Sequence, residues 1–197
     1  IVRPINLQAV KKPQEYAKTL RLASDCSNLY IVLYNLFLKH NRLPDRIARI
    51  LRMAFEDYDL FFDLTEDGRV FVKLARDELT LPPPCMPDGF HKLVAILTAL
   101  ELKPSILAID ELEDSLHPQL VELVIDLLKS SNAVVIATTH SPAAVDIADP
   151  EDLVLASMTV SGTEFRRLKD PAKIKEELRR YGITLSERWL WGRMEVE

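Results

Sequence analysis

The chain has 197 residues, of which 48% are hydrophobic and 28% charged, and a formal net charge of −5. This is globular composition, long enough to bury a sizeable core as one domain or a large piece of one, and its acidity excludes a basic footprint for nucleic acid at the whole-chain level. Cys26 and Cys85 are far apart and form no C-x-x-C pair, which argues against a zinc knuckle or disulfide framework and suits a reducing cytoplasm.

Pro13 to Ala23 reads as a short helix. Ser27 to His40 places Leu29, Val32, Leu33, Leu36 and Phe37 on one stripe at helical spacing. The apolar run Leu29–Leu38 within it is interrupted by Asn35 and is too short to span a bilayer, so no membrane is implied. Pro44 can open the next helix in its first turn, where Ile47, Ile50, Leu51, Ala54 and Phe55 repeat the period. The pattern then changes: Asp59–Leu64 and Arg69–Leu74 flank Glu66-Asp67-Gly68, a hairpin signature. Leu81-Pro82-Pro83-Pro84 is a stiff connector.

From residue 88 the chain alternates helix and strand. Gly89–Leu102 is helical, with Phe90, Leu93, Val94, Leu97 and Leu100 in one stripe. Ser105–Ile109 and Ala133–Thr138 are short apolar runs of the buried parallel type. Between them, Pro118 starts a helix with Val121, Val124, Ile125 and Leu128 on its core face. Pro142–Ala148 is a short helix. Asp152–Val160 and Thr163–Leu168 are strands around Ser161-Gly162, and Pro171–Tyr181 is a helix with Gly182 as its C-cap. Repeated β-α-β units imply an α/β fold with a mostly parallel sheet covered by helices, preceded by a helical and hairpin segment. The expected subregions are 1–84, 85–160 and 161–197. The late basic cluster Arg166, Arg167, Lys169, Lys173, Lys175, Arg179 and Arg180 is interleaved with Glu176 and Glu177 and reads as a solvated face.

The chemistry concentrates where the strand Ser105–Ile109 ends in Asp110-Glu111, followed by Ser115-Leu116-His117-Pro118. In open α/β sheets ligands bind beyond the carboxyl ends of strands. Asp110 is therefore placed to support a phosphate-bound Mg²⁺, and Glu111 to polarise an attacking water. The next strand ends in Thr138-Thr139-His140-Ser141-Pro142, which would bring His140 to the same sheet edge, to touch a γ-phosphate or orient that water. Taken singly, Asp-Glu after a strand is common and His140 reads first as a capping or core histidine. The joint pattern is the specific signal.

That joint pattern resembles the ABC-class ATPases of the SMC/RecF/OLD-like group, a P-loop NTPase fold of AAA type. Ser105–Glu111 resembles a Walker B strand, Ser115–Pro118 a D-loop, His140 a switch histidine, and Pro87-Asp88-Gly89-Phe90 a degenerate signature followed by its helix. Asp25–Leu29 and Glu187–Gly192 are similar to segments flanking the family's helical part and its end. The resemblance implies an ATPase with ATP and Mg²⁺ as cofactors: Asp110 on the metal, Glu111 as general base, His140 as γ-phosphate sensor. Asp88, Gly89, Ser115 and His117 would lie on the nucleotide, with Asp88 and Gly89 facing that of a partner in a head-to-tail homodimer. Related proteins act in DNA repair, chromosome handling and phage defence, so DNA is an implied partner.

The sequence departs from the pattern in three places. G-x-x-x-x-G-K-[ST] is absent, so nothing here supplies the nest of N–H groups, the lysine and the hydroxyl that cradle phosphates. A Walker A-containing N-terminal half is therefore the first expected partner, and the chain alone should bind ATP poorly. Pro87 stands where the signature has serine, and Leu112 where many relatives have proline. Rival readings are a non-catalytic interaction or regulatory module and a DNA-binding clamp subunit. A zinc site is disfavoured because no histidine pair has i, i+4 spacing, and a serine hydrolase because G-x-S-x-G is missing. Trp189 and Trp191 point to packing or a subunit contact rather than base stacking.

Overall fold

The computed structural model describes residues 4–55, 58–192 and 194–196. Its chain forms two compact units, Ile1–Thr138 and Thr139–Glu197. No helix among the described residues is long and apolar enough to cross a membrane.

The first unit is built on α4 (Asp88–Glu101), whose residues Gly89 to Leu100 are all buried. The expected single stripe is thus wider than a stripe: the helix is enclosed on every side. Helices α2 (Leu29–His40) and α3 (Asp45–Ala54) pack on it, as does α5 (Pro118–Lys129), whose buried Val121, Val124, Ile125 and Leu128 are those of the predicted core face. Pro44 is the N-cap of α3 rather than part of its first turn. Strands β1 (Asp59–Leu64), β2 (Val70–Arg76) and β3 (Leu79–Leu81) make an antiparallel sheet. Its first hairpin closes through Gly68, whose φ of +80° requires glycine-like freedom, with Gly68 N–H donating to the Thr65 carbonyl at 2.8 Å. The triple proline forms a short 3-10 turn at Pro83–Cys85.

The helix expected over 13–23 does not form. Beyond the short α1 (Leu7–Val10), Gln14 pairs its backbone with Val70 on the edge of β2 through two 2.8 Å bonds. The rest of the segment runs without regular secondary structure, tied to α2 by two asparagines, Asn28 at its N-cap and Asn35 within it. Asn28 Nδ2 donates to the Arg21 carbonyl while its Oδ1 accepts from Ala23 N–H, and Asn35 Nδ2 donates to the Ala17 carbonyl. Backbone groups that a helix would satisfy internally are thus satisfied by side chains.

The parallel sheet consists of β4 (Ile106–Ile109) and β5 (Val134–Ala137), in register Ile106↔Val134 through Ile109↔Ala137 and joined by α5 in a β-α-β unit. Leu107 and Ile109 are buried on one face, whereas Ile106, Val134 and Ile136 on the other are 64%, 62% and 60% exposed.

The second unit has its own core of Val145, Leu168, Ile174 and Leu185, against which Trp189 and Leu178 pack. Its elements are α6 (Pro142–Ile147), the antiparallel hairpin β6 (Val154–Thr159) and β7 (Gly162–Arg167), α7 (Pro171–Tyr181) and α8 (Leu185–Leu190). Gly182 caps α7 in the left-handed conformation at φ +64°. Asp146 of α6 accepts from Ser186 N and Oγ at 2.7 and 2.8 Å, tying α8 to α6. Several members of the basic cluster are ion-paired within the unit: Lys175 with Asp149 and Glu151, Arg166 with Glu164, Lys173 with Glu177.

Candidate functional site

The tip of β4 carries the acidic pair. Asp110 is exposed and Glu111 half-buried. Thr138, one residue past β5, binds both: its Oγ1 donates to Asp110 Oδ1 at 2.7 Å and accepts from Glu111 N–H at 2.9 Å. The Thr138 backbone continues the ladder, donating to the Ile109 carbonyl and accepting from Leu112 N–H. Glu111 itself has φ +49°, a left-handed conformation uncommon for a non-glycine residue. The strand therefore turns sharply at Glu111, and the following bonds, Asp114 N to the Glu111 carbonyl and Leu116 N to the Glu113 carbonyl, wind residues 111–116 into a compact turn.

That turn ends on α4. Ser115 has φ +62°, and its carbonyl oxygen lies so close to Gly89 that any Cβ there would collide with it. Gly89 is thus required for close approach of the α4 N-terminus to the turn. Asp88, exposed in the first turn of α4, pairs with Lys11 at 2.6 Å. Pro87 is the N-cap of α4 and makes no side-chain capping bond. His117 is the N-cap of α5, its ring accepting from Gln119 N at 3.5 Å and its carbonyl from Leu120 N at 2.8 Å.

The predicted site residues Asp110, Glu111, Gly89 and Ser115 thus gather around one turn. Asp88 and His117 stand at the starts of the helices on either side of it in sequence. His140 is exposed and belongs to the second unit, two residues past Thr138 and directly before Ser141, the N-cap of α6.

Two contributors were missed by sequence reasoning. Thr138 lay inside the quoted strand-end motif, but nothing in its type announced that it would bind both acidic residues. Lys92 on α4 is 2% exposed, and its Nζ donates to the backbone carbonyls of Asp110 at 3.3 Å and Glu111 at 3.1 Å. Burial pulls this ammonium below the usual lysine range, opposed by the nearby carboxylates of Asp114, Asp110 and Glu113. A signal was present: within the run from Phe90 to Leu100, otherwise apolar apart from Thr98, His91 and Lys92 are the ionisable residues. His91 is also buried; its Nδ1 shares a 2.6 Å hydrogen bond with the Tyr30 hydroxyl, and burial pushes its pKa down to about 4 with the Lys11 ammonium adding to the effect.

Among the described residues no group of three or more His, Cys, Asp and Glu side chains is placed to hold a metal ion. Asp110 alone fits a Mg²⁺ that brings phosphate oxygens and water as its other ligands, the ordinary mode for that ion.

Residues 13–146 match the family described as "AAA domain, putative AbiEii toxin, Type IV TA system". The chain belongs to this AAA family. No curated protein matches it. Among solved structures, this AAA domain is similar to one from "Structural biochemistry of ATP-driven dimerization and DNA stimulated activation of SMC ATPases", with a TM-score of 0.54 at 18% identity over 73% of this chain and 95% of that one. It is also similar to a structure described as "Crystal structure of the SmcHead bound to the C-winged helix domain of ScpA", with a TM-score of 0.58 at 16% identity, covering 85% of this chain and 55% of that one. The AAA domain thus spans about half the length of this SMC head. At these identities the likeness establishes the fold: a P-loop NTPase of the SMC-head kind.

Proposed function

We propose that this AAA domain supplies the hydrolytic half of an ATPase site, with Glu111 as general base, Asp110 as the Mg²⁺-supporting carboxylate and His140 as the γ-phosphate sensor. The observation that carries the reading is the turn at residues 110–116, where a left-handed Glu111 beside a threonine-held Asp110 sits at the carboxyl end of a parallel strand. Bound with the nucleotide, Mg²⁺ would neutralise phosphate charge as the terminal phosphoryl group leaves. The Glu111 carboxylate takes the proton of the attacking water, and Asp110 holds its charge toward the phosphates while Thr138 fixes its orientation. Asp88, Gly89, Ser115 and His117 contact nucleotide, Asp88 and Gly89 that of a partner, where the N–H groups at the start of α4 attract phosphate.

The reading includes two partners. The first is a phosphate-loop segment that completes the sheet. Parallel sheets are covered on both faces, and the open face of Ile106, Val134 and Ile136 is the apolar surface such a segment would bury. The second is another copy in a nucleotide sandwich, closed because ATP binds the dimer better than the open form. ATP-driven dimerisation and DNA stimulation are ascribed to the SMC ATPases above, which supports a role in DNA handling, while the family's description in terms of a type IV TA system supports one in defence. The rival, a non-catalytic interaction module, draws on Pro87, which offers neither hydroxyl nor N–H to a phosphate.

The test is Glu111→Gln in the AAA domain completed by its phosphate-loop segment. Turnover should stop while nucleotide-bound dimers persist on size exclusion; unchanged hydrolysis removes Glu111 from the role. Micromolar ATP binding by this chain alone in calorimetry would refute the need for a completing segment.

A further inference from the structure

We propose that Lys92 is a positioning residue for the Glu111 turn: its buried ammonium binds two consecutive backbone carbonyls and so holds the left-handed backbone that directs the Glu111 side chain. The mechanistic consequence rests on Glu111 being the base, while the structural claim stands without it.

A lysine in a protein interior is tolerated only where its donors are satisfied. Lys92 is 2% exposed, and the acceptors its Nζ reaches are the carbonyls of Asp110 at 3.3 Å and Glu111 at 3.1 Å. In an extended strand, successive carbonyls point to opposite sides. One cation can bind both only where the backbone bends between them, and Glu111 at φ +49° supplies that bend. Such a conformation is sparsely populated for a non-glycine residue and persists where its surroundings over-determine it. Here the surroundings are Lys92 on the carbonyl side and Thr138 Oγ1, 2.9 Å from the Glu111 N–H, on the other.

The placement of Lys92 on α4 gives this contact its meaning. Gly89 and Lys92 are three residues apart and share a helix face, and Gly89 abuts Ser115. One helix face therefore grips both ends of the turn, at residues 110–111 through Lys92 and at residue 115 through Gly89. Any displacement of the α4 N-terminus is passed to the backbone of Glu111 through a buried polar contact rather than through a loop.

The test compares wild type, Lys92→Met and Lys92→Arg. On this chain, amide hydrogen exchange of Glu111 and Leu112 should lose protection by about ten-fold or more in Lys92→Met, while α4 and β4 amides keep theirs, and Lys92→Arg should retain it. In the completed ATPase, Lys92→Met should lower kcat by roughly a hundred-fold with KM for ATP little changed, the signature of a misplaced catalytic group. Wild-type protection at Glu111 in Lys92→Met overturns the proposal. If Lys92→Met fails to fold, Lys92→Arg decides: loss of Glu111 protection in a folded, cation-bearing variant also overturns it. A completed wild-type domain that does not hydrolyse ATP refutes the ATPase reading instead, and the exchange result still decides whether Lys92 holds the turn.

Discussion

A side chain at Gly89 would collide with the Ser115 carbonyl oxygen, a backbone atom that cannot rotate away. Gly89→Ala should therefore destabilise the chain by about 1–3 kcal/mol, the usual range for overpacking, measurable by urea denaturation, and should loosen the 111–116 turn. Thr138 presents a complementary case. Its hydroxyl serves the Asp110 carboxylate and the Glu111 N–H together, so the near-isosteric Thr138→Val should cost about 0.5–1.5 kcal/mol, the usual net worth of a hydrogen bond whose groups can turn to water instead, and should lower turnover in the completed enzyme. His91 makes stability depend on pH. Its folded-state pKa of about 4 lies below the ordinary 6.5, so between those values the unfolded chain binds the proton and the folded chain does not. The contribution is full above pH 6.5 and is lost as pH falls toward 4, by up to about 3 kcal/mol. A urea midpoint that does not move over this range in wild type relative to His91→Phe would count against it.

At the scale of elements, α2 was legible from its apolar period, and so were α5 with its start at Pro118, the hairpin around Gly68 and the cap at Gly182. Each is decided by local rules: spacing of core residues, a turn residue that tolerates positive φ, or a proline in a first turn. The segment 13–23 was not legible. Its irregular path depends on Asn28 and Asn35, which look from sequence like polar interruptions of a helix and act as clamps on its neighbour. Asn35→Leu should keep α2 intact yet free this segment, so that limited trypsin treatment cuts at Lys18 and Arg21 faster than in wild type. The acidic pair at a strand tip was visible in the order of residues. Lys92 and Thr138 were not assignable, because their role comes from contacts across 18 to 28 residues of chain.

For the whole molecule, the open face of β4 and β5 sets the expectation. Ile136 is 60% exposed, so Ile136→Lys should change the stability of this chain by no more than about 0.5 kcal/mol, as for ordinary surface substitutions. The same change should abolish co-purification with a phosphate-loop segment, because it would bury an unpaired charge in the completed sheet. The amino-acid order by itself determined the α/β alternation, the strand-tip carboxylates and the lack of a phosphate loop in these 197 residues, because periodicity, turn chemistry and motif spacing are local properties. Only the tertiary structure decided that α4 is enclosed on all sides, that one buried ammonium and one threonine frame Glu111, and that one face of the parallel strands stays bare. Those outcomes depend on which distant groups meet, and burial energy and hydrogen-bond satisfaction act on such meetings rather than on neighbours along the chain.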